Sequence, residues 1–154
     1  MKHKLIVLTA DDDPNDRHLM KHAIQRNGAP IELRQVNDGA ELTEYMKGKG
    51  QFADRHLYPL PDLIILDLKM PRRDGLQVLK WLRKSGECRR VPTIMLSGSG
   101  LDRDVQAAYA LGVNSYFSKP SSLEELRELT GLIVEYWSRA EHGHVQAYLR
   151  HVPA

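Results

Sequence analysis

Cysteine is almost absent: Cys88 is the only one in 154 residues. The chain can therefore form no internal disulfide, and a reducing compartment is the expected setting. Long apolar runs are missing near the start as well. The longest there, Leu5 to Leu8, is far too short for a signal-peptide core or a membrane span. Nor does one sign of charge dominate. The 22 basic groups oppose 20 acidic ones for a net +2, which removes any electrostatic case for nucleic acid or an anionic membrane surface. There is no internal repeat and no low-complexity segment. These absences leave a cytoplasmic chain of about one domain, long enough to bury a proper core.

What is present centres on Leu63 to Gly75. Leu63, Ile64, Ile65 and Leu66 form an apolar run bounded by Pro61 and Pro71, the pattern of a strand buried on both faces of a parallel sheet. The run ends on Asp67. Met70-Pro71 then breaks the strand, and Asp74, with Gln77 three residues on, reads as the capped start of a helix to Ser85.

The same unit of strand, polar end and helix recurs along the chain. A first strand, Lys4 to Thr9, ends at Asp11, Asp12 and Asp13 and is followed by a helix from Asn15 to Asn27. Ile31 to Val36 is the second strand, and Asp38-Gly39 opens the second helix. From Gly48 to Pro61 the pattern lapses into a polar, Gly/Pro-punctuated connection, longer than most and read as a tolerated insertion. Val91 to Leu96 is the fourth strand, ending at Ser97-Gly98-Ser99-Gly100, and a helix runs from Asp102 to a stop at Gly112. Val113 to Phe117 is the fifth strand, ending in Ser118, Lys119 and Pro120. In the last helix Ser122 and Glu125 suggest a capping box, and Leu123, Leu126, Thr130, Ile133 and Trp137 follow the helical period.

Five alternations of strand and helix imply a doubly wound α/β fold with helices on both faces of a parallel sheet. In such sheets ligands bind beyond the carboxyl ends of the strands. Asp11, Asp12, Asp67, Ser97 and Lys119 all fall at such ends, so one fold gathers them at one edge. Clustered carboxylates suit a hard divalent cation such as Mg2+. Lys119 adds a point positive charge, and the Ser97 hydroxyl can donate to a phosphoryl oxygen. Charge neutralisation and positioning are what phosphoryl transfer requires, and the product on this nucleophile is an aspartyl phosphate.

With these residues in view, the chain from Lys4 to about Arg139 resembles the receiver domains of two-component response regulators. The motifs that carry the resemblance are Asp11-Asp12, Asp67 with Met70-Pro71 and Asp74-Gly75, Ser97-Gly98, and Lys119-Pro120. The resemblance implies a flavodoxin-like (βα)5 sheet in the order 2-1-3-4-5 with a C-terminal helical extension. It also implies that Asp67 takes a phosphoryl group from a sensor histidine kinase in a phosphorelay. Asp12, Asp67 and the main-chain carbonyl of Lys69 would bind Mg2+ directly, with Asp11 acting through water. Tyr116 matches the aromatic switch position, whose ring would turn inward as Ser97 moves toward the phosphoryl group. The partner surface that changes would be the fourth helix, fifth strand and last helix.

The long connection and the tail after Arg139 look like those of single-domain regulators serving bacterial phytochromes, so a bacteriophytochrome is an expected kinase. Residues 1–139 would be the receiver and 140–154 a tail, too short for a helix-turn-helix unit that could bind DNA. Lys69 and Ser99 flank the path of a hydrolytic water and are expected to set phosphate lifetime. Leu129, Leu132 and Tyr136 form a second apolar row on the last helix, and Val145, Tyr148, Leu149 and Val152 repeat at helical spacing in the tail. A homodimer through both is expected, against the alternative of a tail folded over its own subunit. The expected protein is a phosphoacceptor, not a turnover enzyme. An aspartate-based phosphatase would usually need a second acid where Lys69 stands, and a non-phosphorylated scaffold would not need the full acid, serine and lysine set. His18 and His22 could hold zinc by spacing but lack further ligands. Cys88, Arg72 and Arg73 read as ordinary loop and surface groups.

Overall fold

The computed structural model describes residues 4–28 and 30–140. The tail residues of the expected dimer contact, Val145, Tyr148, Leu149 and Val152, lie outside them, as do His142, His144 and His151. Five strands, β1 (Leu5–Ala10), β2 (Ile31–Val36), β3 (Leu63–Leu66), β4 (Thr93–Ser97) and β5 (Ser115–Ser118), alternate with five helices. These are α1 (Pro14–Gln25), α2 (Gly39–Lys47), α3 (Gly75–Lys84), α4 (Asp102–Ala110) and α5 (Leu123–Arg139). All strand pairs are parallel, in the order β2-β1-β3-β4-β5, as expected.

Alternation along the central strands divides the apolar residues between two cores. Leu5 and Val7, Leu63 and Ile65, and Ile94 and Leu96 face a cluster with Met20 and Ile24 of α1 and Ile133 and Val134 of α5. Leu8 and Ala10, Ile64 and Leu66, and Met95 face the other, built with α2, α3 and Ala108 of α4. Neither face of the sheet is left to solvent, which is why its central strands read as continuous apolar runs.

The helix starts are set locally. The side chains of Asp13, Asp38, Asp74 and Ser122 each accept a backbone N–H at the first turn of α1, α2, α3 and α5. Asp74 and Gln77 form the full reciprocal box, whereas for α5 the bond is that of Ser122 with the Glu125 N–H.

The connection from Gly48 to Pro61, read as a tolerated insertion, is packed against α2. It contains a single 3-10 turn, Gly50–Phe52, and packs Phe52 and Tyr58 against Tyr45 with ring centroids 5.0 and 5.9 Å away. Arg55 donates to the Tyr45 and Met46 carbonyls at 2.7 and 2.6 Å and to that of Tyr58 at 3.0 Å. The end of α2 thus has its open carbonyls satisfied by an arginine from the segment that follows.

Candidate functional site

The carboxyl ends of the strands meet where the strand order reverses, between β1 and β3. Ala10 pairs with Leu66 in register, and the Asp67 N–H donates to the Ala10 carbonyl at 3.0 Å, which brings Asp67 beside Asp11. Carboxylate oxygens of Asp11, Asp12 and Asp67 lie within 4.8 Å of one another. Asp12 is exposed and the other two are half-buried. An all-oxygen donor set this compact fits a hard divalent cation. Asp13, read from sequence as a third adjacent acid, turns away to cap α1 by accepting from the Asn15 N–H at 2.8 Å.

Lys119 reaches the acids from β5. Its backbone N–H donates to the Ser97 carbonyl at 2.8 Å, continuing the β4–β5 ladder in which Ser97 pairs with Ser118. Its ammonium donates to Asp11 at 2.8 Å, Asp16 at 2.7 Å and Asp67 at 3.2 Å. Burial alone would lower the lysine pKa, but the bonds to Asp11 and Asp16 and the charge of Asp67 outweigh it, so the ammonium is held charged above its ordinary value. For Asp67 burial is the larger effect and the Asp11 charge adds to it. Together they outweigh Lys119 and raise the carboxyl above its usual range.

Ser97 is buried at the end of β4, and its Oγ accepts from the Ser99 N–H at 3.1 Å. The Ser99 hydroxyl is bonded to Asp104 of α4. Tyr116 is half-buried against the α2–α4 core, and its hydroxyl donates to the Ser99 carbonyl at 2.6 Å. The loop after β4 is thereby tied to both β5 and α4. Lys69, two residues beyond Asp67, is exposed. Close behind it, a Cβ on Gly75 would stand 2.4 Å from the Asp67 carbonyl oxygen, so only glycine lets the chain turn back this tightly.

Asp16 joins the cluster although no motif marked it. Its signal was the pair Asp13-Pro14, which caps α1 and fixes Asp16 in the first turn. Arg72 is exposed, as its solvated reading expects, and its guanidinium also bonds Asp38 at 2.5 and 3.1 Å. Cys88, an ordinary thiol by its sequence, is buried, and desolvation raises its thiol pKa, which keeps it from being a reactive thiolate. His18 and His22 stack with ring centroids 6.5 Å apart and belong to no candidate metal cluster among the described residues.

Comparison with known proteins agrees with this geometry. The response regulator receiver domain profile matches residues 7–130. The chain is 33% identical over 135 residues to a probable methanogenesis regulatory protein, FilR2, of Methanothrix harundinacea, covering 86% of this chain and 83% of that one. Among solved structures, the phosphorylated cyanobacterial phytochrome response regulator RcpA superposes with a TM-score of 0.85 at 30% identity, over 92% of this chain and 99% of that one. The Mn2+-bound form of response regulator Rcp1 gives 0.80 at 28% identity, over 89% and 96%; a protein of the same name is known from Synechocystis.

Proposed function

Since the chain belongs to the response regulator receiver family, we propose that it stores a signal as a phosphoryl group on Asp67, received from a sensor histidine kinase. The observation that carries this reading is the convergence of Lys119, Asp11 and Asp67, 108 and 52 residues apart from the lysine in sequence, within hydrogen-bonding distance of one ammonium. An Asp67 carboxylate oxygen attacks the phosphorus of a phosphohistidine. The O–P bond forms, the N–P bond breaks, and the imidazole leaves with its electron pair. Asp12, Asp67 and the Lys69 carbonyl would hold Mg2+ directly and Asp11 through water. The cation supplies charge neutralisation of the incoming phosphoryl oxygens. Lys119 and Ser97 contact those oxygens, and Lys69 and Ser99 border the path of the hydrolytic water.

The readout runs through the loop after β4. Movement of Ser97 toward the phosphoryl group shifts Ser99, and with it the carbonyl that Tyr116 holds and the hydroxyl bonded to Asp104, so the surface of α4, β5 and α5 changes. Similarity to RcpA supports a bacteriophytochrome as the kinase. In this reading residues 1–139 form the receiver and 140–154 a tail, and the protein works in the cytoplasm. On α5, Leu132 and Tyr136 are 67% and 66% exposed, which supports a homodimer through that helix and the tail.

Incubation with acetyl phosphate and Mg2+ followed by intact-mass measurement tests the reading. The expected result is a mass gain of one phosphoryl group, absent in Asp67→Asn and absent when the cation is chelated. Labelling that persists in Asp67→Asn, or continuous release of phosphate without a labelled intermediate, would overturn it.

A further inference from the structure

The ammonium of Lys119 has three N–H donors, and three carboxylates take them: Asp11, Asp16 and Asp67. Two of these acids, Asp11 and Asp67, belong to the compact set of oxygens suited to a divalent cation, and Asp16 does not. Cation and ammonium therefore compete for the same two carboxylates. Only Asp16, at 2.7 Å, can keep hold of the lysine without drawing on an acid that serves the cation directly or through water. Its place is built in by sequence, because Asp13 caps α1 and Pro14 opens it, putting the Asp16 side chain at the edge of the cleft, 36% exposed.

We propose that Asp16 is a positioning residue that parks the Lys119 ammonium at the rim of the acid cleft, so that a divalent cation and the lysine occupy the site together. Without Asp16, the lysine's remaining carboxylate partners among the described residues are Asp11 and Asp67. It then settles more deeply between them and opposes cation entry. The inference rests on the receiver reading but concerns a residue that reading does not use.

The experiment is a double-mutant cycle read by Mn2+ binding, using calorimetry or the electron paramagnetic resonance of the free ion. Asp16→Ala is compared with the parent chain, and Asp16→Ala/Lys119→Ala with Lys119→Ala. Acting through the lysine, Asp16→Ala weakens Mn2+ binding roughly fivefold or more in the parent and less than about twofold in the Lys119→Ala background, a coupling expected of residues in contact. An equal loss in both backgrounds would show Asp16 to be a remote negative charge only and would overturn the proposal. So would no loss in either. Asp16→Leu, which keeps a side chain of similar length and removes the acceptor, serves if the alanine variant does not fold, with the same two criteria. If the parent binds no Mn2+, the metal reading itself fails and takes this inference with it. Binding that Asp67→Asn weakens, without coupling between Asp16 and Lys119, removes this inference alone.

Discussion

Arg72 adopts a φ of 64°, a conformation that costs a residue with a Cβ and persists only when its surroundings hold it. The holding contact is its two-pronged bond to Asp38. Beside it, a Cβ on Gly39 would stand 2.2 Å from the Arg73 carbonyl oxygen. The loop that follows Asp67 is thus strapped to the start of α2. For Asp38 burial would raise the carboxyl pKa, but the Glu41 N–H and Arg72 outweigh it and the net shift is downward. A depressed folded pKa contributes stability above the ordinary aspartate value and loses it as pH falls through the folded value. Asp38→Asn keeps a competent cap and removes the charge. It should cost up to about 1 kcal/mol at neutral pH, with the deficit vanishing in strong acid, as urea denaturation across pH will show. Asp67→Asn should act in the other direction. Three carboxylates bond one ammonium here and a fourth, Asp12, lies in the same acid cluster, so without divalent cation the variant should melt about 2–4 °C higher, and saturating Mg2+ should erase the difference by stabilising only the parent.

At the scale of elements, the segment between α2 and β3 is held both by its buried Phe52 and Leu60 and by Arg55. Arg55→Ala leaves the carbonyls at the end of α2 without their charged donor and loosens the Tyr45, Phe52 and Tyr58 cluster. A loss of about 2 kcal/mol is expected, or roughly 4–8 °C in melting temperature, measurable by calorimetry. This segment was not legible beforehand, because a polar, glycine-punctuated stretch gives no periodicity from which an arginine's reach to a preceding helix can be read. By contrast β2 and β3 were read to the residue, since glycine or proline flanks each and apolar residues mark both. β4 and β5 were placed two residues early for a physical reason. Val91 and Val113 are buried and apolar, yet their N–H groups close the preceding turns on Cys88 and Ala108. Local apolarity does not separate a strand residue from a buried turn residue. A second element-level expectation concerns Tyr109 of α4, whose hydroxyl accepts from the Tyr116 N–H at 3.1 Å. Tyr109→Phe removes the acceptor and should broaden amide resonances of β5 in NMR spectra without altering the acid cluster.

For the molecule as a whole, the parallel sheet places the acid cluster at one edge, and the far side of α5 leaves Leu132 and Tyr136 exposed. The acids, Ser97 and Lys119 were legible as a set because each is a polar residue at or just after the end of an apolar run, so an error of one residue in a strand end leaves it at the same edge. Asp16 was not, because its direction depends on the helical frame of α1. No helix among the described residues is long and apolar enough to cross a membrane. If α5 pairs with a second copy, sedimentation at micromolar concentration should give twice the chain mass, and Leu132→Asp should halve it. The central claim is narrower than assembly and rests on one oxygen atom. Reduction of the phosphorylated protein with borohydride converts an acyl phosphate to an alcohol, and peptide mapping then locates it. The account predicts homoserine at position 67 and nowhere else; homoserine at position 11 or 12, or no reducible acyl group in a phosphorylated sample, would contradict it.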